Sequence, residues 1–170
     1  MQEHAWLRDG AWLSLRPVRA ADAEPLRRLI MELPPRERRW RFHGGVNGLS
    51  AGHLQALVEP GPDLLAWVAS AEGRLVAEVR CAIDRAGAAA ELAVMVTPAW
   101  RRRGVARWCV AAISERCRQR GLRWIHGSVL ADNAPMLALA RRAGCYCAPS
   151  RDDAAVVTVE RRLASVRSWR

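Results

Sequence analysis

The sequence predicts a protein of the α/β (α+β) class, with a mixed, mostly antiparallel central sheet flanked by helices. Helical and strand patterns alternate near both ends of the chain, whereas residues 64–96 show three consecutive strand patterns separated by turns. A length of 170 residues suits one domain with its own core. We therefore expect a single domain over residues 1–170.

The N-terminal part indicates a strand followed by a helix. Residues 12–19 alternate apolar and polar side chains and carry Pro17 near their end, which is typical of an edge strand. Asp22 then precedes apolar residues at helical spacing up to Leu33, so we expect a capped helix there.

A basic and aromatic segment follows at residues 36–42. It indicates either a solvated helix with Trp40 and Phe42 turned inward, or a lining of the acceptor or cofactor side that runs on into residues 43–45. Ser50 then predicts the cap of a short helix that ends at Val58.

The middle of the chain predicts a meander. Residues 64–69 and 74–83 form a hairpin around a turn at 70–73, and a second turn leads into a strand at 89–96. Pro98 cannot donate to a sheet ladder, so this last strand must end before it.

The C-terminal part alternates again. An apolar face at helical spacing predicts a helix at 104–120 that Gly121 ends, and residues 124–130 predict a strand. Asn133 is the predicted cap of a helix that ends at Gly144. Strands are then expected at 146–148 and 155–163.

Charge and composition limit the function. The net charge is +10, and all 27 Lys and Arg residues are arginine. The arginines are spread along the chain with no nucleic-acid-binding motif, so a polyphosphate cofactor explains the charge at least as well as DNA or RNA.

The sequence predicts no disulfide bond, no metal site and no membrane-spanning segment. The 5 cysteines lack a C-x-x-C pair, and we expect them to be reduced thiols. The 4 histidines are scattered without paired ligands, so no metal site is predicted. Neither a signal peptide nor an apolar run long enough to span a membrane is visible, so we expect a cytoplasmic protein.

The strongest local motif is a basic turn between the strand at 89–96 and the following helix. Backbone N–H groups of Gly104, Val105 and Ala106 would lie at the start of that helix, where the helix dipole favours anions. Four arginines add forked donors for phosphate, namely Arg101, Arg102, Arg103 and Arg107. The motif predicts a binding site for a diphosphate.

This motif resembles a known family signature. Arg101-x-x-Gly104-x-Ala106, after a strand and Pro98, is similar to the Q/R-x-x-G-x-G/A acyl-CoA signature of GNAT-type N-acetyltransferases. Residues 129–144 resemble the strand and helix of that family that contact CoA, which would place the amide of Asn133 at the pantetheine arm. Residues 90–96 and 130–136 are similar, more narrowly, to bacterial protein-lysine acetyltransferase domains.

The resemblance extends over residues 13–163 and implies the GNAT fold, with acetyl-CoA as the acyl donor. One position departs from it. Many members place a tyrosine seven residues after the asparagine to protonate the leaving thiolate, and this chain has Ala140 there. Either water protonates the thiolate, or the protein binds acetyl-CoA without turnover.

Acetyl transfer to an amine needs a base and an oxyanion donor. Glu91 is the acidic residue inside the apolar strand that leads to the turn, shares a face with Ala93 and Met95, and is the predicted general base in a partly apolar cleft. Glu78 and His126 are second choices. Backbone N–H groups near Met95 and Val96 are predicted to bind the oxyanion.

Three functions compete on the sequence. The first is an N-acetyltransferase that moves acetyl from acetyl-CoA to a protein lysine or a small amine. The second is an acyl-CoA sensor with little turnover, favoured by Ala140. The third is an arginine-rich nucleic-acid binder, favoured by charge alone. No particular oligomeric state is predicted.

Overall fold

A computed structural model describes residues 2–42 and 49–163. The predicted lining at residues 43–45 lies outside the described residues. The strands are β1 (Glu3–Trp6), β2 (Trp12–Pro17), β3 (Leu64–Ala71), β4 (Arg74–Ile83), β5 (Ala89–Val96), β6 (Trp124–Leu130), β7 (Tyr146–Pro149) and β8 (Val156–Arg162). The α-helices are α1 (Ala23–Met31), α2 (Pro35–Phe42), α3 (Ala51–Val58), α4 (Val105–Gln119) and α5 (Ala134–Arg142).

The strands form one eight-stranded sheet in the order β1-β2-β3-β4-β5-β6-β8-β7. Neighbouring strands run antiparallel except β5 and β6, which are parallel and joined by α4. The predicted mixed, mostly antiparallel sheet is confirmed.

Helices lie on both faces of the sheet. One face packs against α4 through buried residues such as Val79, Val94 and Ile113, and α5 packs on Val129 and Val159 farther along the sheet. Helices α1 and α3 cover the other face, whose core includes Ile30 and Met95. Alternation along β5 therefore sends Glu91, Ala93 and Met95 toward the side of α1 and α3, as the sequence predicted.

Two local expectations at the N-terminus were wrong. The strand at residues 12–17 is not an edge strand, because β1 pairs with its outer side. Asp22 does not cap α1 with its side chain. Its carboxylate instead accepts bonds from Arg16 and from the backbone N–H of Arg19, across a short 3-10 turn at Ala20–Asp22.

The other helix ends follow the predicted chemistry. The Ser50 hydroxyl accepts the His53 N–H at 3.2 Å, and the Asn133 side chain accepts the Met136 N–H at 3.2 Å. Gly121 and Gly144, just beyond the ends of α4 and α5, take φ values of 82° and 78°. Both glycines thus end their helices in the left-handed conformation.

The five cysteines are free thiols, and three of them are buried. Burial raises the pKa of Cys109 to about 12, so this thiol stays protonated and packs as an apolar side chain. Among the helices of residues 2–42 and 49–163, none is long and apolar enough to cross a membrane.

Candidate active site

A wedge opens in the centre of the sheet between β5 and β6. The two strands pair only over Ala89–Glu91 and 124–126. Beyond that point β5 continues beside β4, and β6 continues beside β8. A Cβ at Gly127 would lie 3.1 Å from the carbonyl oxygen of Leu92, so glycine lets the strands stay close where the wedge begins.

Backbone groups of β5 line the wedge in an alternating pattern. The Thr97 N–H donates to Val76 of β4 at 2.9 Å, and the Ala89 carbonyl accepts from Asp84 at 3.0 Å. In an antiparallel ladder this register turns the odd-numbered residues of β5 toward β4 and leaves Val94 and Val96 facing the wedge.

The two predicted oxyanion donors are therefore separated by the ladder. The N–H of Met95 belongs to the β4 side, whereas the N–H of Val96 points into the wedge. Sequence reasoning missed Val94, which faces the same way as Val96. Strand alternation could have identified it once the register between β4 and β5 was known, which the predicted meander does not give.

The turn after β5 presents the N-terminus of α4. Gly104 precedes the helix with φ of 93°, a left-handed conformation that glycine adopts without strain, and a Cβ built on it would meet no heavy atom of the described residues within 4 Å. As the N-cap residue, Gly104 has no side chain that could cap the helix. The first N–H groups of α4, including those of Val105 and Ala106, are thus open to an anion, as the predicted diphosphate site requires.

The four arginines of the predicted diphosphate site divide into two pairs. Arg102 and Arg107 are exposed and make no ion pair with any described residue. Arg101 instead binds Glu37 of α2 with two nitrogens and the Val96 carbonyl with Nε at 3.1 Å. Arg103 donates to Asp9 at 2.6 Å and stacks over the ring of Trp100.

Of these four arginines, Arg102 and Arg107 are therefore the pair whose guanidinium groups have no ion-pair partner among the described residues and could bind a phosphate. Arg101 and Arg103 stabilise the turn that displays the helix N-terminus. Their carboxylate partners come from distant parts of the chain, so no local sequence signal announced them.

Asn133 lies at the far side of the wedge, just after β6. Its side chain is almost completely buried, and its Oδ1 is occupied by the Met136 N–H at the start of α5. No described residue accepts a bond from the Nδ2 amide. That amide is thus available to a ligand in the wedge.

Glu91 lies at the closed end of the wedge. It pairs in register with His126 of β6, and its side chain is exposed rather than set in an apolar cleft. His126 Nε2 lies 3.2 Å from a carboxylate oxygen of Asp84. Glu91 itself has no ion-pair partner among the described residues, so its carboxylate is open to a substrate amine.

Glu78 has the opposite environment. Its side chain is fully buried on the α1 side of β4, opposite Met95, and both carboxylate oxygens are bound by arginines, Arg41 and Arg80. Met95 is four residues from Glu91, so the backbone positions of Glu78 and Glu91 are offset by about 13 Å along the strands. Both oxygens of Glu78 are therefore engaged in ion pairs that stabilise the sheet and α2.

The described residues bring together no group of three or more His, Cys, Asp or Glu side chains that could hold a metal ion. Several donors next to the wedge have no partner among the described residues: backbone N–H groups of β5 and α4, the Asn133 amide, and the guanidinium groups of Arg102 and Arg107 at the start of α4. These donors suit an anionic, amide-containing ligand.

The family model described as Acetyltransferase (GNAT) family matches residues 28–145, from α1 through α5. The chain belongs to the GNAT acetyltransferase family. This confirms the resemblance seen in the turn around Gly104 and in the segment around Asn133. A comparison with curated proteins gives no match.

Solved structures of acyltransferases share the fold of this chain. The GNAT domain of S. lividans PAT is 27% identical, covers 95% of this chain and 97% of that one, and superposes with a TM-score of 0.88. An N-acetyltransferase of Thermoplasma acidophilum in complex with coenzyme A is 15% identical over 88% of this chain and 98% of that one, with a TM-score of 0.72. A cAMP-binding acyltransferase from Mycobacterium smegmatis is 23% identical over 99% of this chain and 49% of that one, with a TM-score of 0.66.

The family and its named neighbours make this GNAT protein an acyltransferase. The position of the family's frequent tyrosine is filled by Ala140, which is buried against α5 and β6 neighbours such as Leu137 and Val129. Tyr146 lies on β7 with 67% of its surface exposed. Ala140 carries no phenol, and the phenol of Tyr146 does not lie in the wedge.

Proposed function

We propose that this protein transfers an acetyl group from acetyl-CoA to a primary amine. The observation that carries the proposal is the wedge between β5 and β6, which opens directly toward the uncapped N-terminus of α4. A diphosphate at that helix end would let a pantetheine arm run into the wedge beside β5.

Each part of acetyl-CoA would meet a matching donor. The diphosphate would accept bonds from the first N–H groups of α4 and from Arg102 or Arg107. The amide groups of pantetheine would pair with the wedge side of β5 and with Asn133 Nδ2. The thioester oxygen would lie at the N–H of Val94 or Val96, where its developing charge needs a preorganised donor.

The reaction then needs a neutral amine. A free lysine amine has a pKa of about 10.4, so holding it neutral at pH 7 costs roughly 4.6 kcal/mol. Glu91 would take the ammonium proton through ordered water, because it lies about 10 Å along β5 from Val94 and about 16 Å from Val96. The amine nitrogen attacks the thioester carbon, and the nitrogen of the tetrahedral intermediate loses its second proton to solvent. The intermediate then collapses, and the CoA thiolate leaves and takes a proton from solvent.

The acceptor is a primary amine of a protein lysine or of a small molecule. The resemblance of residues 90–96 and 130–136 to bacterial protein-lysine acetyltransferase domains favours a lysine side chain. Because the chain has no lysine of its own, acetyl groups added to lysine in an assay must belong to the acceptor.

A second candidate function is an acyl-CoA sensor, favoured by Ala140 in place of the tyrosine. Release of free thiol from acetyl-CoA, measured with lysine peptides, small amines and no amine, distinguishes the two. Amine-dependent release supports the transferase. Tight binding of acetyl-CoA without release in any mixture supports the sensor.

A further inference from the structure

Helix α2 lies across the open end of the wedge and is held there by polar contacts. None of its residues is buried, although Phe42 packs on the core at its end. On the β5 side, Glu37 binds Arg101, which also contacts the carbonyl of Val96. On the β6 side, the Trp40 indole N–H donates to Asp132 at 2.8 Å.

These contacts fix how α2 spans the opening. Glu37 and Trp40 are three residues apart, which places them about 5–6 Å apart on one helix face. One helical turn thus joins the segment after β5 to the segment after β6. The two strands share no hydrogen bonds at this level, so α2 forms a roof over the wedge.

The ring of Trp40 is held in place within this roof. Its nitrogen is bound to Asp132, the guanidinium of Arg36 lies 4.9 Å from the ring centroid, and Arg39 holds Asp132 at 2.9 Å. The partners of the ring are partly exposed, so each contact is weak, but together they orient the indole, and a ligand that moves the ring must break them.

We infer that Trp40 limits the length of the acyl chain that this site accepts, an inference that rests on the proposed function of the wedge. With the thioester oxygen at β5 and the amine arriving from the side of Glu91, the acyl chain extends toward α2. Acetyl fits beneath the roof. Each further methylene of propionyl or butyryl must push against the indole.

The test measures the affinity of purified protein for acetyl-CoA, propionyl-CoA and butyryl-CoA by calorimetry. In Trp40→Ala, and in Trp40→Leu as a second variant, the butyryl-to-acetyl affinity ratio should rise by about 10-fold or more, the usual effect of a methylene in an apolar pocket. Trp40→Phe keeps a ring but loses the bond to Asp132, and should change the ratio less than Trp40→Ala does.

Trp6→Ala is the matched control, because Trp6 is 69% exposed on the outer strand β1. An unchanged ratio in both Trp40→Ala and Trp40→Leu overturns the inference, as does an equal rise in Trp6→Ala. If Trp40→Ala fails to fold, Trp40→Leu decides. Affinity reports on the roof even without turnover, whereas thiol release by the wild-type protein reports on the proposed function.

Discussion

Glu91 lies directly opposite His126, and this is the last residue pair that joins β5 to β6. Beyond this pair, the backbone groups on the wedge side of β5 have no strand partner and are free to bind a ligand. Glu91 itself lies in the regularly paired part of the sheet. The proposed base at the closed end and the proposed anion site at the open end thus lie on one strand and the helix that follows it. This arrangement positions both ends of a long ligand without a flexible loop.

Substitution at Gly104 tests the anion site. Gly104→Glu should weaken acetyl-CoA binding by at least 100-fold, because it places negative charge where the diphosphate would accept backbone N–H groups. Any L-residue here also suffers left-handed strain of roughly 1–2 kcal/mol. Gly104→Ala carries the strain without the charge and is the control.

Calorimetry on both folded variants gives the comparison. A loss in Gly104→Glu that merely equals the loss in Gly104→Ala would argue against a diphosphate at this helix end.

The local features of the site were predictable from the sequence, whereas its long-range contacts were not. The strand at 89–96, Gly104 before α4 and Asn133 before α5 follow from patterns within a few residues of each. The pairing of Arg101 with Glu37 joins residues 64 positions apart, and that of Arg103 with Asp9 joins residues 94 positions apart. Whether the N–H of Met95 points toward β4 or into the wedge likewise depends on the register between β4 and β5, which the sequence pattern does not give.

The role of Glu78 can be separated from that of Glu91 by stability. Glu78→Gln leaves the guanidinium groups of Arg41 and Arg80, both largely buried, without their shared carboxylate. Breaking such a buried ion pair should lower the free energy of unfolding by about 3–5 kcal/mol. Urea unfolding measures the change, and a loss below about 1 kcal/mol would show that Glu78 does not hold this region together.

Acid should weaken the contact between Arg16 and Asp22. Burial raises the pKa of Asp22, but the bonds from Arg16 and from the Arg19 N–H lower it more, so the net pKa is below its ordinary value. A carboxyl with a lowered folded-state pKa stabilises the fold above its unfolded pKa, about 3.9. That stability is lost as the pH falls through the folded-state value.

Asp22→Asn should therefore destabilise the protein by about 2 kcal/mol at pH 7, and the difference from wild type should shrink below about pH 4. Glu24→Gln is the control. Bonds from Arg27 and Arg28 lower the pKa of Glu24 to about 2, but these side chains are on the surface, where ion pairs contribute little. Thermal unfolding across this pH range measures both variants, and a pH-independent effect of Asp22→Asn would contradict the assignment.

Glu91→Gln tests the general base with almost no change in size. If Glu91 takes the ammonium proton, kcat at pH 7 should fall by about 100-fold or more, the usual contribution of a positioned base. The affinity for acetyl-CoA should barely change, because the anion site lies past the end of β5. Stability should also change little, since Glu91 is exposed and has no ion-pair partner among the described residues, in contrast to Glu78.

The rate of the Glu91→Gln variant should recover partly at high pH, where solvent deprotonates the amine unaided. Steady-state rates from pH 7 to pH 10, with unfolding curves alongside, measure these effects. Wild-type kcat at pH 7 in Glu91→Gln would remove Glu91 from the mechanism and leave ordered water or His126, which Asp84 holds beside it, to accept the proton.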